Sequence, residues 1–176
     1  MSKERGKEFL ETRSSIEDWS IPARFSDWLS PIEDLSVLKT AFICIKMDKK
    51  EELIHLFEKY RGYILELPEN WDGYGAPSFN NEILKRVSNL LEKVFQSLWN
   101  EMIEISLPLI QPVPDGSVDI NWETDKFELL VNIPSEDNKL VNIYGEKIGF
   151  PLEEIENRSN YELAILVITH WLKRII

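Results

Sequence analysis

The chain has 176 residues, 43% of them hydrophobic and six of them Trp. That is enough for one domain with a proper core, and it excludes a globally disordered chain or a disulfide-stapled miniprotein. A single Cys rules out a four-cysteine zinc site within one copy. Lys and Arg number 20 against 31 Asp and Glu, a net charge of −11. The excess sits in residues 62–149, which carry 15 acidic and 6 basic side chains. Duplex nucleic acid is therefore disfavoured as a direct partner, because such affinity rests on neutralising phosphates. A basic protein partner suits this field, which would speed its approach. The competing reading is that the carboxylates only keep the domain soluble.

Residues 1–12 are charged and lack a following apolar core, so they do not read as a secretion signal. The most apolar window, residues 163–169, is too short to cross a bilayer. A cytoplasmic protein without membrane contact is expected. Residues 1–36 read as an N-terminal helical and loop arm. Its Trp19, Phe25 and Trp28 are candidate anchors on the main body or on a partner. Residues 37–176 read as a single α+β domain. The β-branched apolar run at 40–47 favours a buried strand, with a helix over 33–47 as its competitor. Cys44 within it behaves as a small buried hydrophobe. Asp48 and Glu51 then have capping-box spacing for a helix carrying Leu53, Phe57 and Tyr60, which Gly62 is placed to stop.

Two Gly and two Pro within residues 68–77, PENWDGYGAP, demand an ordered turn. From about 79 to 99, Ile83, Leu84, Val87, Leu90, Leu91, Val94, Phe95 and Leu98 fall on one arc, which predicts an amphipathic helix capped by Ser78 or Asn80. The period then changes to two. Val118, Ile120 and Trp122 alternate with Asp119, Asn121 and Glu123. Phe127 to Ile133 and Leu140 to Tyr144 follow across short polar turns, an antiparallel meander closed by Gly149 and Pro151. One face is apolar, and the other carries Asp119, Asn121, Glu123, Glu128 and Asn132. A last helix over about 160–174 is apolar on more than one side, with Leu163, Leu166 and His170 away from its main face. This allows a homo-oligomer through the C-terminal helix. The fold class is α+β, a small antiparallel sheet of three or more strands with helices packed on one face.

The stretch LPENWDGYGAP at 67–77, the helix after it, and PVPDGSVDINWE at 112–123 carry a resemblance over about residues 65–145. They resemble an uncharacterised group of small bacterial proteins marked by a WDGYGA-type loop, a long helix and a P-x-x-DG…W hairpin. The matching residues are Trp71, Asp72, Gly73, Tyr74, Gly75, Ala76 and Pro77 in the loop, and Pro114, Asp115, Gly116 and Trp122 on the strand. The resemblance implies kinship and assigns no catalytic role. Small proteins of this kind are often encoded near mobile or toxin–antitoxin loci, an association that leaves room for a neutralising, antitoxin-like or immunity-like role.

Two readings of the loop stay open. In the structural one, Trp71 and Tyr74 bury their rings between the long helix and the sheet, Asp72 accepts from turn amides, and Gly73 and Gly75 supply positive φ or close approach. In the functional one, Asp72, Tyr74 and the loop amides line a ligand groove beside Trp122 and Glu123. A phosphate cradle is the weakest version, since no Lys or Ser/Thr of a nucleotide loop accompanies the glycines. Catalytic groups are scarce. His55 and His170 read as solvent-facing, no zinc-binding spacing and no Ser elbow is present, and Cys44 lacks an adjacent base. No catalytic residue, metal site or cofactor is assigned, and the balance leans away from an enzyme. The expected function is a non-enzymatic acidic interaction protein that uses Asp119, Asn121, Glu123 and Glu128, or the arm. An enzyme or small-ligand protein using the loop groove is the alternative.

Overall fold

The computed structural model describes the backbone of residues 35–176 and the side chains of residues 47–176. The chain divides into two units, Met1–Phe42 and Ile43–Ile176. The expected arm over 1–36, with Trp19, Phe25 and Trp28, and the burial of Cys44 lie outside the described residues. The sheet and its packed helices belong to the second unit.

Helix α1 spans Leu35–Leu65 without a break, so the strand expected at 40–47 is helical. Asp48 lies inside the helix rather than at its start, and Gly62 does not end it. Continuous apolar runs look alike in both structures. Here the ion pairs Lys49–Glu52 and Arg61–Glu58, each one turn apart, suit a helix surface. A glycine in a helix costs only about 1 kcal/mol. Leu53 and Ile64 are buried, Phe57 and Tyr60 are half-buried, and Met47 and Ile54 stay exposed.

Helix α2, Asn81–Asn100, begins where Asn80 accepts from the amides of Glu82 and Ile83. All eight residues of the expected arc are buried. The chain then builds a five-stranded antiparallel meander in sequence order. Its strands are β1 (Leu109–Pro112), β2 (Val118–Glu123), β3 (Phe127–Ile133), β4 (Val141–Lys147) and β5 (Phe150–Ser159). Two of them, β1 and β5, are additions to the three strands expected. Gly149 does not close the unit but turns the chain from β4 into β5, and Pro151 lies within that last strand.

Helix α3, Tyr161–Ile175, is capped by Asn160 and lies over β4 and β5, while α2 lies over β2 and β3. The two helices run in the same sense. Tyr161 donates to the Arg86 carbonyl at 2.6 Å, Lys93 pairs with Glu162, and Lys173 pairs with Glu101. Between them and the sheet lie Val118, Ile120, Trp122, Leu129, Val131, Ile143, Phe95 and Trp171. Trp122 donates its indole N–H to the Ser106 carbonyl, and Trp171 donates to that of Glu153. Both large rings thus enter the core with their polar atoms partnered. No described helix is long and apolar enough to cross a membrane.

Candidate functional site

The WDGYGA loop is closed upon itself. The Asp72 carboxylate accepts from the amides of Tyr74 at 2.8 Å and Ala76 at 3.0 Å. The Asn70 side chain takes the Gly75 amide at 2.7 Å, and its carbonyl takes the Gly73 amide. All four successive amides from Gly73 to Ala76 are thereby occupied within the turn, which leaves none to cradle an anion. The Tyr74 and Ala76 amides hold the Asp72 carboxyl below its ordinary range. Gly73 and Gly75 have φ of 79° and 98°, as expected, and Asn70 joins them at 62°.

The rings divide. Trp71 is half-buried with its ring 6.3 Å from that of Phe79. Tyr74 is 96% exposed, so the expectation that both rings are buried holds for neither in full and fails for Tyr74. With glycine on both sides in positive φ, the turn reverses around Tyr74, aiming its amide inward at Asp72 and its ring outward. Trp122 is sealed in the core and offers the loop no groove wall. Pro77 instead packs on the second motif: a Cβ at Gly116 would stand 3.0 Å from its Cγ. The two motifs meet as a structural staple.

A different arrangement occupies the open face of the sheet, where the strand register sorts the outward side chains into three rows. The first runs Gln111, Asp119, Asn132, Asn142, Arg158. It is internally bonded: Asn132 donates to Asp119 at 2.7 Å and to the Ser117 hydroxyl at 2.8 Å, and that hydroxyl donates to Asp115. The Ser117 hydroxyl, then its amide, hold the Asp115 carboxyl below its ordinary range. The second row runs Leu109, Asn121, Leu130, Tyr144, Glu156, and its three apolar members are exposed. The third places Glu123 opposite Glu128 and Glu128 opposite Glu146. Among the described residues, none of these three glutamates has a cationic partner within ion-pair distance. Tyr144 donates to Glu146 at 3.2 Å. That bond first, then the charge of Glu146 and those of Glu154 and Glu128, holds the phenol above its ordinary range.

Of the face residues singled out from the sequence, Glu123 and Glu128 are exposed and belong to the acidic row. Asp119 and Asn121 are half-buried, and Asp119 is engaged by Asn132. Glu146, Tyr144 and Leu130 were missed. The alternation of β4 continues past Tyr144 to Glu146, and extending it would have found the third glutamate.

Both histidines are exposed. Among the described residues no group of three or more His, Cys, Asp or Glu side chains is placed to hold a metal ion. Fold and surface together define an α+β protein whose sheet has one covered and one chemically ordered open face. No family model matches the chain, and neither a curated protein nor a solved structure matches it.

Proposed function

We propose that the protein acts by binding a basic protein segment on the open face of its sheet, with neutralisation of a toxin-like partner as the sharpest form of this role. The register Glu123–Glu128–Glu146 carries the reading. Like charges directly opposite on neighbouring strands destabilise a sheet. A Lys- or Arg-rich chain laid across the three strands would remove that repulsion. The neighbouring Leu130 and Tyr144 offer the apolar anchor that a purely charged patch lacks. Because the carboxylates stand on paired strands, little order is lost on docking.

The test is recovery of the co-purifying chain from native cells, followed by affinity measurements. Glu128→Lys/Glu146→Lys is expected to weaken binding by about tenfold or more, while Trp28→Ala leaves it unchanged. Loss with Trp28→Ala alone would move the site to the N-terminal arm, and the absence of any stable partner would sink the reading.

A small-ligand role is the second reading, and one observation supports it away from the loop. A groove of about 560 Å³ lies between α1 and α2, walled by Met47, Ile54, Phe57 and Trp99. Its rim is bridged by Lys50 and Glu92. Saturable uptake of an apolar dye that is lost in Phe57→Glu would favour this reading over the first.

A further inference from the structure

The sheet ends on its longest strand. β5 holds ten residues, and among the described residues nothing pairs with its outer side. Long free edges invite pairing with another chain, and proteins commonly blunt them with charge. The charges on β5 have a particular order. Glu156 and Arg158 are two residues apart and share the open face, opposite Tyr144 and Asn142 of β4. Among the described residues neither takes part in an ion pair.

We propose that two copies of the chain pair antiparallel through β5, about a two-fold axis at Asn157. This register sets Glu156 of each copy opposite Arg158 of the other, so both charges are matched twice by one symmetric contact. A pairing shifted one residue along either strand loses this match, so the charges specify the register. On the covered side the same axis brings two Asn157 side chains together.

The helix above the edge fits the same partner. Leu166 and Val167 of α3 line a groove of about 370 Å³ with Ile155 of β5. Leu166 is 66% exposed and Leu163 46%. A second copy seated on β5 brings its own α3 to this place, so the two apolar stripes cover each other. A partner of unrelated sequence would have to supply the strand, the reversed charge order and the apolar stripe at once. A second copy supplies all three. The contact leaves the glutamate row on β2–β4 open, so it stands apart from the proposed partner site.

Sedimentation velocity on the full chain near 0.15 M salt, from roughly 1 to 100 μM, tests this. The expected wild-type species at the upper end is a dimer of twice the 20.7 kDa chain mass. Glu156→Arg and Arg158→Glu, each alone, should raise the dissociation constant about tenfold or more. An equal mixture of the two variants should recover the dimer, since every opposed pair is again unlike in charge. Both positions are exposed, and matching melting curves for the variants exclude loss of fold. A monomer throughout the range, or a dimer indifferent to both single variants and their mixture, overturns the proposal.

Discussion

On the covered face of the sheet, the large apolar side chains and both indoles find their partners within the molecule. Trp122, Leu129 and Val131 are at most 1% exposed, and the Trp122 and Trp171 indoles have carbonyl partners. On the open face Glu123, Glu128 and Glu146 stand in line on neighbouring strands, like charges opposite one another and, among the described residues, with no cationic partner. The WDGYGA loop is the instructive third case. It carries the most distinctive sequence in the chain, yet its carboxylate and its amides satisfy one another. Distinctive residues thus mark the staple of the fold, and the less conspicuous alternation of β2–β4 sets out a row of like charges with no cation beside it among the described residues. Function is sought where the polar groups are not already answered.

The contrast can be tested by substitution, beginning with the cover. Phe95 packs its ring 5.4 Å from Trp99 and 6.4 Å from Trp122. Phe95→Ala is expected to cost ~3–5 kcal/mol in chemical denaturation. A loss below about 1 kcal/mol would mean that α2 does not seal the sheet. Gly145 comes next. An added Cβ there would meet Trp171 at 2.9 Å and Ile155 and Leu129 at 3.0 Å. Gly145→Ala should therefore cost ~1–3 kcal/mol through overpacking, and a neutral result would show that α3 can lift off β4.

The open face should answer with the opposite sign. Glu128→Gln removes the central charge of the row and is expected to raise stability by ~0.2–1 kcal/mol, most visibly at low salt. Destabilisation would reveal a cation near the row and weaken the contrast. The loop gives the smallest change, because the amide oxygen introduced by Asp72→Asn still accepts from both turn amides. Only the charge is lost. The folded Asp72 carboxyl lies below its ordinary value of 3.8, so its contribution is present above that value and lost as the pH falls through the folded one. Melting curves of wild type and variant should differ at neutral pH and converge in acid. Equal curves at every pH would mean that the turn does not depend on the carboxylate.

Much of this contrast was legible in the sequence where two periods were clean. The arc from Ile83 to Leu98 marks α2, and the alternation from Val118 to Ile133 fixes which side of β2 and β3 is covered. Asp72 as the acceptor of its turn and positive φ at Gly73 and Gly75 follow from residue chemistry alone. The failures have physical causes. Residues 40–47 are apolar without a period, so nothing local separates strand from helix, and the continuity of α1 through Asp48 and Gly62 resolves it. β5 carries Glu153, Glu154, Glu156 and Arg158, too polar to read as a strand, and it is held by its ladder with β4. β1 buries only Ile110 and ends on Pro112, so its pairing with β2 supplies what its own four residues lack. Cross-strand partners are nonlocal, and the glutamate row exists only once the register is known.

Binding at that row can be followed by NMR titration of the isotopically labelled protein with a short lysine-rich peptide containing one Leu. Saturable shift changes are expected at Glu123, Glu128, Leu130, Tyr144 and Glu146, with residues 70–76 unmoved and the changes suppressed in Glu128→Lys/Glu146→Lys. Shifts centred on the loop or on the α1–α2 groove, or shifts that persist in the charge-reversed variant, would contradict it.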